Sequence, residues 1–150
     1  MTRVRFAALI AVLASLALVL PAAASASSPQ IAMLNKVNAF RQAHGVPKVR
    51  LSASLEHSAS KYSHYMMRSG YFGHASRIHA SSRYRTLGEI IELQRGMAAG
   101  VSEAFRAWVH SPPHRSVMLM STFKFAGAGV VHGRFHGRRM TIWTMHFGRH

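Results

Sequence analysis

The chain has 150 residues, with 19 Lys and Arg against only 4 acidic side chains, 11 His and no Cys, for a net charge of +15 at pH 7 with histidines neutral. That length fits one domain with a core of its own. Without cysteine there are no disulfides, thiol nucleophiles or lipid-modified cysteine anchors, and with Glu56, Glu89, Glu92 and Glu103 as the only carboxylates, paired-carboxylate hydrolysis has few residues to draw on.

Arg3 and Arg5, the apolar run 6–20 and the small residues 22–27 have the form of an export signal, with cleavage expected after Ala26. The domain is then 27–150. The apolar run is short for a membrane span, so no transmembrane segment is expected to remain after cleavage. What remains is still strongly basic, which favours anionic envelope polymers or lipids as partners; specific nucleic-acid binding is not expected of an exported chain.

From residue 30 to 44, Ile31, Leu34, Val37 and Phe40 recur at helical spacing, and Gly45 and Pro47 end the pattern. A second helix opens at Leu51-Ser52, with Ser52 as N-cap, Leu55, Ala59, Tyr62 and Met66 down one face, and Gly70 as its stop. His57, Lys61, His64 and Arg68 form another stripe, read as a solvated cationic face on which His64 is either exposed or partly buried. Residues 71–87 show no sustained period and read as a long ordered loop, the kind that tends to carry function. Gly88 to Ile91 reads as the start of a short helix or a strand.

Residues 96–100 are a small-residue connection. Ser102 is expected to cap a helix leading to Trp108, with Glu103 near the positive end of its dipole. Pro112 and Pro113 stop that helix and start a short second one, which places His114 beside a rigid corner where its side chain can point into a cleft. Residues 127–132 and 140–147 read as strands, the second alternating Thr141, Trp143, Met145 and Phe147 against Met140, Ile142, Thr144 and His146, with a basic turn over 133–139. Helices first and strands late, without a βαβ rhythm, give an α+β layered fold.

Neither a Gly-x-Ser-x-Gly elbow nor a phosphate-cradling loop is present. His110 and His114 have the spacing of helical metal ligands, but the prolines between them break the turn which that spacing requires. What remains is His74, Glu89 and His114, with Glu103 or Ser111 as further members. Two imidazoles and a carboxylate suit a divalent cation such as Zn²⁺ completed by water; without a metal they form a hydrogen-bonded polar cleft.

Asn38-x-x-Arg41-x-x-x-Gly45, Leu51-Ser-x-Ser-Leu55, Gly70-Tyr-Phe-Gly-His74, Gly88-Glu89, Ala107-Trp108-x-x-Ser111-Pro-x-His114-Arg115 and Gly127-x-Gly129-Val130 occur in this order. The set, covering about 31–147, resembles the CAP (SCP) superfamily, which includes cysteine-rich secretory proteins, plant pathogenesis-related proteins and bacterial exported domains. Its Trp-x-x-Ser-Pro-x-His-Arg block is similar to the disulfide-free bacterial branch. The resemblance implies a three-layer α-β-α sandwich with a mainly antiparallel sheet and a central cleft of two His and two Glu. His74 and His114 match the two histidines and Glu89 the first glutamate. The second glutamate falls at Ser111, Glu103 lies two helical turns earlier, and Ile90 stands where the family usually has Asn.

By the same resemblance the chain is expected to be secreted or envelope-associated and to act as a binding module, with a divalent cation or an anionic envelope ligand in its cleft. Two alternatives stand beside this reading. One is a metal-assisted hydrolase of peptides or wall polymers, with His74, Glu89 and His114 holding Zn²⁺. The other is a cationic antimicrobial or wall protein working through Arg134, His136, Arg138 and Arg139.

Overall fold

A computed structural model describes residues 27–98 and 100–150, so the expected signal segment, 1–26, lies outside the described residues. Helix α1 (Pro29–Ala43) starts at Ser28, whose hydroxyl accepts from the Ile31 N–H, with Pro29 in the first turn where a missing N–H costs nothing. It buries Met33, Leu34 and Val37. Its polar residues are struts. The Asn38 amide pairs with both the N–H and the carbonyl of Val49, and the fully buried Arg41 donates to the carbonyls of Pro47, Met118, Met120 and Phe123. These bonds tie the loop that follows α1, and the C-terminal end of the helix over Pro112–Leu119 with the loop after it, to the first helix.

A short strand, β1 (Arg50–Leu51), leads into α2 (Ala53–Ser69), where Ser52 caps the Leu55 N–H as expected and Gly70 ends the helix in the left-handed region. After the loop come β2 (Thr86–Arg95), α3 (Val101–His110), α4 (Pro112–Leu119), β3 (Phe125–Phe135) and β4 (Arg138–Arg149). The stretch at Gly88 is thus part of a ten-residue strand. Ser102 is not the cap of α3: the cap lies two residues earlier, at Gly100 with φ 51°, whose carbonyl accepts from the Ala104 N–H. A left-handed backbone at that corner suits glycine, and no side-chain oxygen caps the helix there.

The sheet order is β1-β3-β4-β2, antiparallel except for the two-residue parallel pairing of β1 with β3. The basic turn narrows to His136–Gly137. Both residues take positive φ, 48° and 77°, the conformation that closes a two-residue hairpin in register with the strand twist. The alternation along β4 holds. Trp143, Met145 and Phe147 join Ile90, Met33, Val37, Trp108 and Met118 in a core beneath α1, α3 and α4, whereas Ile142 joins Ile91, Met66, Met67 and Phe135 beneath α2. Helices therefore cover both faces of the sheet, giving the three-layer α+β sandwich. On β3, any side chain at Gly127 or Gly129 would collide with the α2 backbone at Glu56 or Ser60, so this helix lies directly on the strand. No helix among the described residues is long and apolar enough to cross a membrane.

Candidate functional site

Glu89 is the centre of the site. In β2 it points to the α2 face, and it stands opposite His146 in the ladder with β4. Its Oε1 accepts from the Ala75 N–H and meets His74 Nδ1, each at 2.9 Å, and its Oε2 meets His146 Nε2 at 2.9 Å. The carboxylate is 6% exposed and the His146 ring 1%. Burial alone would push the Glu89 carboxyl up, but the hydrogen bonds from His146, the Ala75 N–H and His74 outweigh it and hold the group below its ordinary value. Beyond Glu89, His146 Nδ1 faces the Ser58 hydroxyl on α2 at 3.1 Å. Tyr62, one turn further along α2, donates to the Gly73 carbonyl, and its phenol is pushed up to about 12 by burial and then by the Glu89 charge. It stays a proton donor.

The loop over 71–85 brings His74 to Glu89 but leaves its ring 60% exposed. His114, in the first turn of α4, presents its ring edge to His74 with centroids 6.3 Å apart. Its Nδ1 is buried and has no hydrogen-bond partner. Burial, then the neighbouring His74, lowers its pKa, so its neutral form is favoured. The structure thus brings together His74, Glu89 and His114. Glu103 stands apart on α3, 59% exposed and 3.7 Å from Arg106, and Ser111 serves the helix junction: its N–H donates to Ala107 and Trp108 carbonyls and its carbonyl accepts from the Arg115 N–H.

Ser58 and His146 are the members that sequence reasoning missed. His146 carried a signal, since the alternation of β4 put a histidine on an inward face, but its partner depended on pairing β4 with β2.

A divalent cation needs carboxylate and imidazole lone pairs converging on one point. Glu89 has both oxygens committed to three donors, and among the described residues no three His, Asp or Glu side chains are grouped to hold a metal ion. As arranged, these residues do not fit a metal.

A groove of about 640 Å³ opens beside the cluster, between α2 and the loop. His57, Lys61, Arg68, Arg77 and His79 supply basic groups, Tyr62, Tyr65 and Tyr71 supply rings, Ser58, His74 and His146 reach it from the cluster, and no acidic residue lines it. The stripe read as a solvated face is partly this groove's wall. His64 is exposed and turns its Nδ1 back to the Ser60 carbonyl.

The fold and this cluster define a small layered domain built around a polar cleft. Residues 34–147 match the family model described as the cysteine-rich secretory protein (CAP) family, and the chain belongs to that family. It is 28% identical over 135 residues to the uncharacterized protein YkwD of Bacillus subtilis, covering 84% of this chain but 49% of that one, so it spans about half the length of this relative. Among solved structures it is similar to an extracellular SCP-domain protein of Bacillus anthracis (TM-score 0.67, 21% identity, 81% of this chain and 40% of that one). An outer surface protein of Borrelia burgdorferi shares the fold at TM-score 0.63 and 14% identity, covering 79% of this chain and 90% of that one.

Proposed function

We propose that the chain is a secreted or envelope-facing binding module whose cleft and groove take an anionic envelope ligand, a lipid head group or polymer bearing phosphate or carboxylate. The observation that carries this reading is the lining of the groove: five basic side chains and three tyrosines with no carboxylate among them. Cations in a concave wall focus the field on an incoming anion, and the rings offer flat apolar surface to the rest of the ligand. The extracellular and outer-surface proteins that share the fold support the location.

The test is titration with phosphatidylglycerol vesicles and with a poly(glycerol phosphate) polymer, against phosphatidylcholine vesicles, at low and high salt. Lys61→Glu/Arg77→Glu is expected to weaken anion binding at least about tenfold, by removing two attractive charges and adding two repulsive ones. Arg138→Glu/Arg139→Glu, at the hairpin, is expected to leave it unchanged. The reverse pattern would favour the polycation reading, and binding indifferent to both pairs would remove the groove as the site.

A further inference from the structure

We propose that Ser58 is a nucleophile activated by His146 and oriented through Glu89, and that the groove cleaves acyl esters carried on anionic molecules. The three residues come from α2, β4 and β2 and form one chain of contacts: Ser58 Oγ to His146 Nδ1 at 3.1 Å, and His146 Nε2 to Glu89 Oε2 at 2.9 Å. An ionised carboxylate only accepts, so the proton of a neutral imidazole lies on Nε2, and Nδ1 is left with its lone pair toward the serine. The Ser58 O–H then donates to Nδ1. This is the order of a nucleophile, its base and an orienting carboxylate, with the two ring nitrogens exchanged relative to the familiar hydrolase arrangement.

The surroundings are consistent with that role. His146 is held on both sides and almost wholly covered, so its ring cannot turn away. Ser58 is 5% exposed, and both residues line the groove. Lys61, three residues along α2 from Ser58, lines the same groove and supplies positive charge for an oxyanion. Stacked Tyr62 and Tyr65, with centroids 5.9 Å apart, offer a flat wall for the acyl or alcohol part.

In the first half of the reaction Ser58 Oγ bonds to the acyl carbon while its proton passes to His146 Nδ1. The tetrahedral adduct collapses, the bond from acyl carbon to alcohol oxygen breaks, and the alcohol leaves with the proton from Nδ1. Water then attacks the acyl-serine and gives a proton to Nδ1. Ser58 leaves as the second adduct collapses and regains that proton, so ester and water become alcohol and acid. Glu89 stays ionised throughout.

The chain contains no cysteine, which makes a clean test available. The protein is treated with a fluorophosphonate probe and the adduct mapped by mass spectrometry. One adduct on Ser58 is expected, slowed about 100-fold or more in His146→Gln. In parallel, Ser58→Cys introduces a single thiol of nearly the same shape, and its alkylation by iodoacetamide at pH 7 is expected to run at least about tenfold faster than that of free cysteine. Adding His146→Gln should remove that advantage. Labelling at other residues, or an introduced thiol no faster than free cysteine, would overturn the proposal. Only the anionic nature of the substrate rests on the groove reading. Neither probe needs an anion site, so failure of that reading and failure of this one are seen separately.

Discussion

Glu89 and His146 are register partners in the β2–β4 ladder, and their side chains meet at 2.9 Å on the face that α2 covers. Their contact is set by strand pairing, whereas the contact of Glu89 with His74 depends on a loop. The two histidines should therefore differ sharply in their energetic weight. His146→Ala removes a buried hydrogen bond to a carboxylate and should cost about 2–3 kcal/mol in urea unfolding. His74→Ala removes an exposed partner and should cost less than about 1 kcal/mol. Equal losses would mean that the loop is as essential to the carboxylate as the sheet.

Acid should weaken the fold in two separate windows. His114 has a folded pKa below its ordinary 6.5, so the unfolded chain binds its proton more readily, and the stability due to its neutral form declines as pH falls below 6.5. Glu89 is held below its ordinary 4.5, so its contribution is present above that pH and is lost on further acidification. Urea midpoints measured from pH 8 to pH 3 should fall in both ranges. His114→Gln should flatten the upper one and leave the lower one in place.

Glu92 behaves oppositely. Partial burial pushes its carboxyl up, so the folded protein disfavours the charged form and stability is lost as pH rises above 4.5. Glu92→Gln should raise the melting temperature at pH 7, and the gain should vanish near pH 4. A gain independent of pH would point to packing in place of charge.

Arg41 should not tolerate lysine. Its guanidinium reaches four carbonyls in different directions, and a lysine ammonium with three donors on a thinner stem cannot reproduce that fork. Arg41→Lys should cost about 3 kcal/mol in chemical denaturation, because it leaves buried carbonyls at Met118 and Phe123 without a donor.

Calorimetric titration of chelator-stripped protein with Zn²⁺ tests the metal directly. With both Glu89 oxygens occupied by donors, the protein and its His74→Ala/His114→Ala variant should give the same heats. Stoichiometric binding that the variant loses, and that weakens as the histidines protonate, would mean that the cluster rearranges around a cation.

The layers were legible in the sequence because they follow from periodicity. The β4 alternation assigns Trp143 and Ile142 to opposite cores, and Ser52 and Gly70 bound α2 where their capping chemistry puts them. His74, Glu89 and His114 were found through ordered motifs, with no spacing rule to join them. What could not be read was register. A shift of one residue in the β2–β4 pairing would send His146 away from Glu89, and nothing local to either strand fixes that choice. The Ser58 contact adds a helix position to the same problem. Ser102 misled because a good capping residue sat two residues too late, after a glycine whose left-handed backbone had already begun the helix.

Gly127 and Gly129 let α2 rest on bare strand backbone, so one wall of the groove is fixed to the sheet itself. The facing wall, including Arg77 and His79, belongs to a stretch with neither helix nor strand. The two walls of the groove thus differ in how they are held, one by the sheet and the other by a few hydrogen bonds at Gly73, Ala75 and Ser81. Between those anchor points the loop's exposed side chains, Arg77 among them, are free of the sheet's register, so the charge of that wall can change without disturbing the glycine seam on which α2 sits.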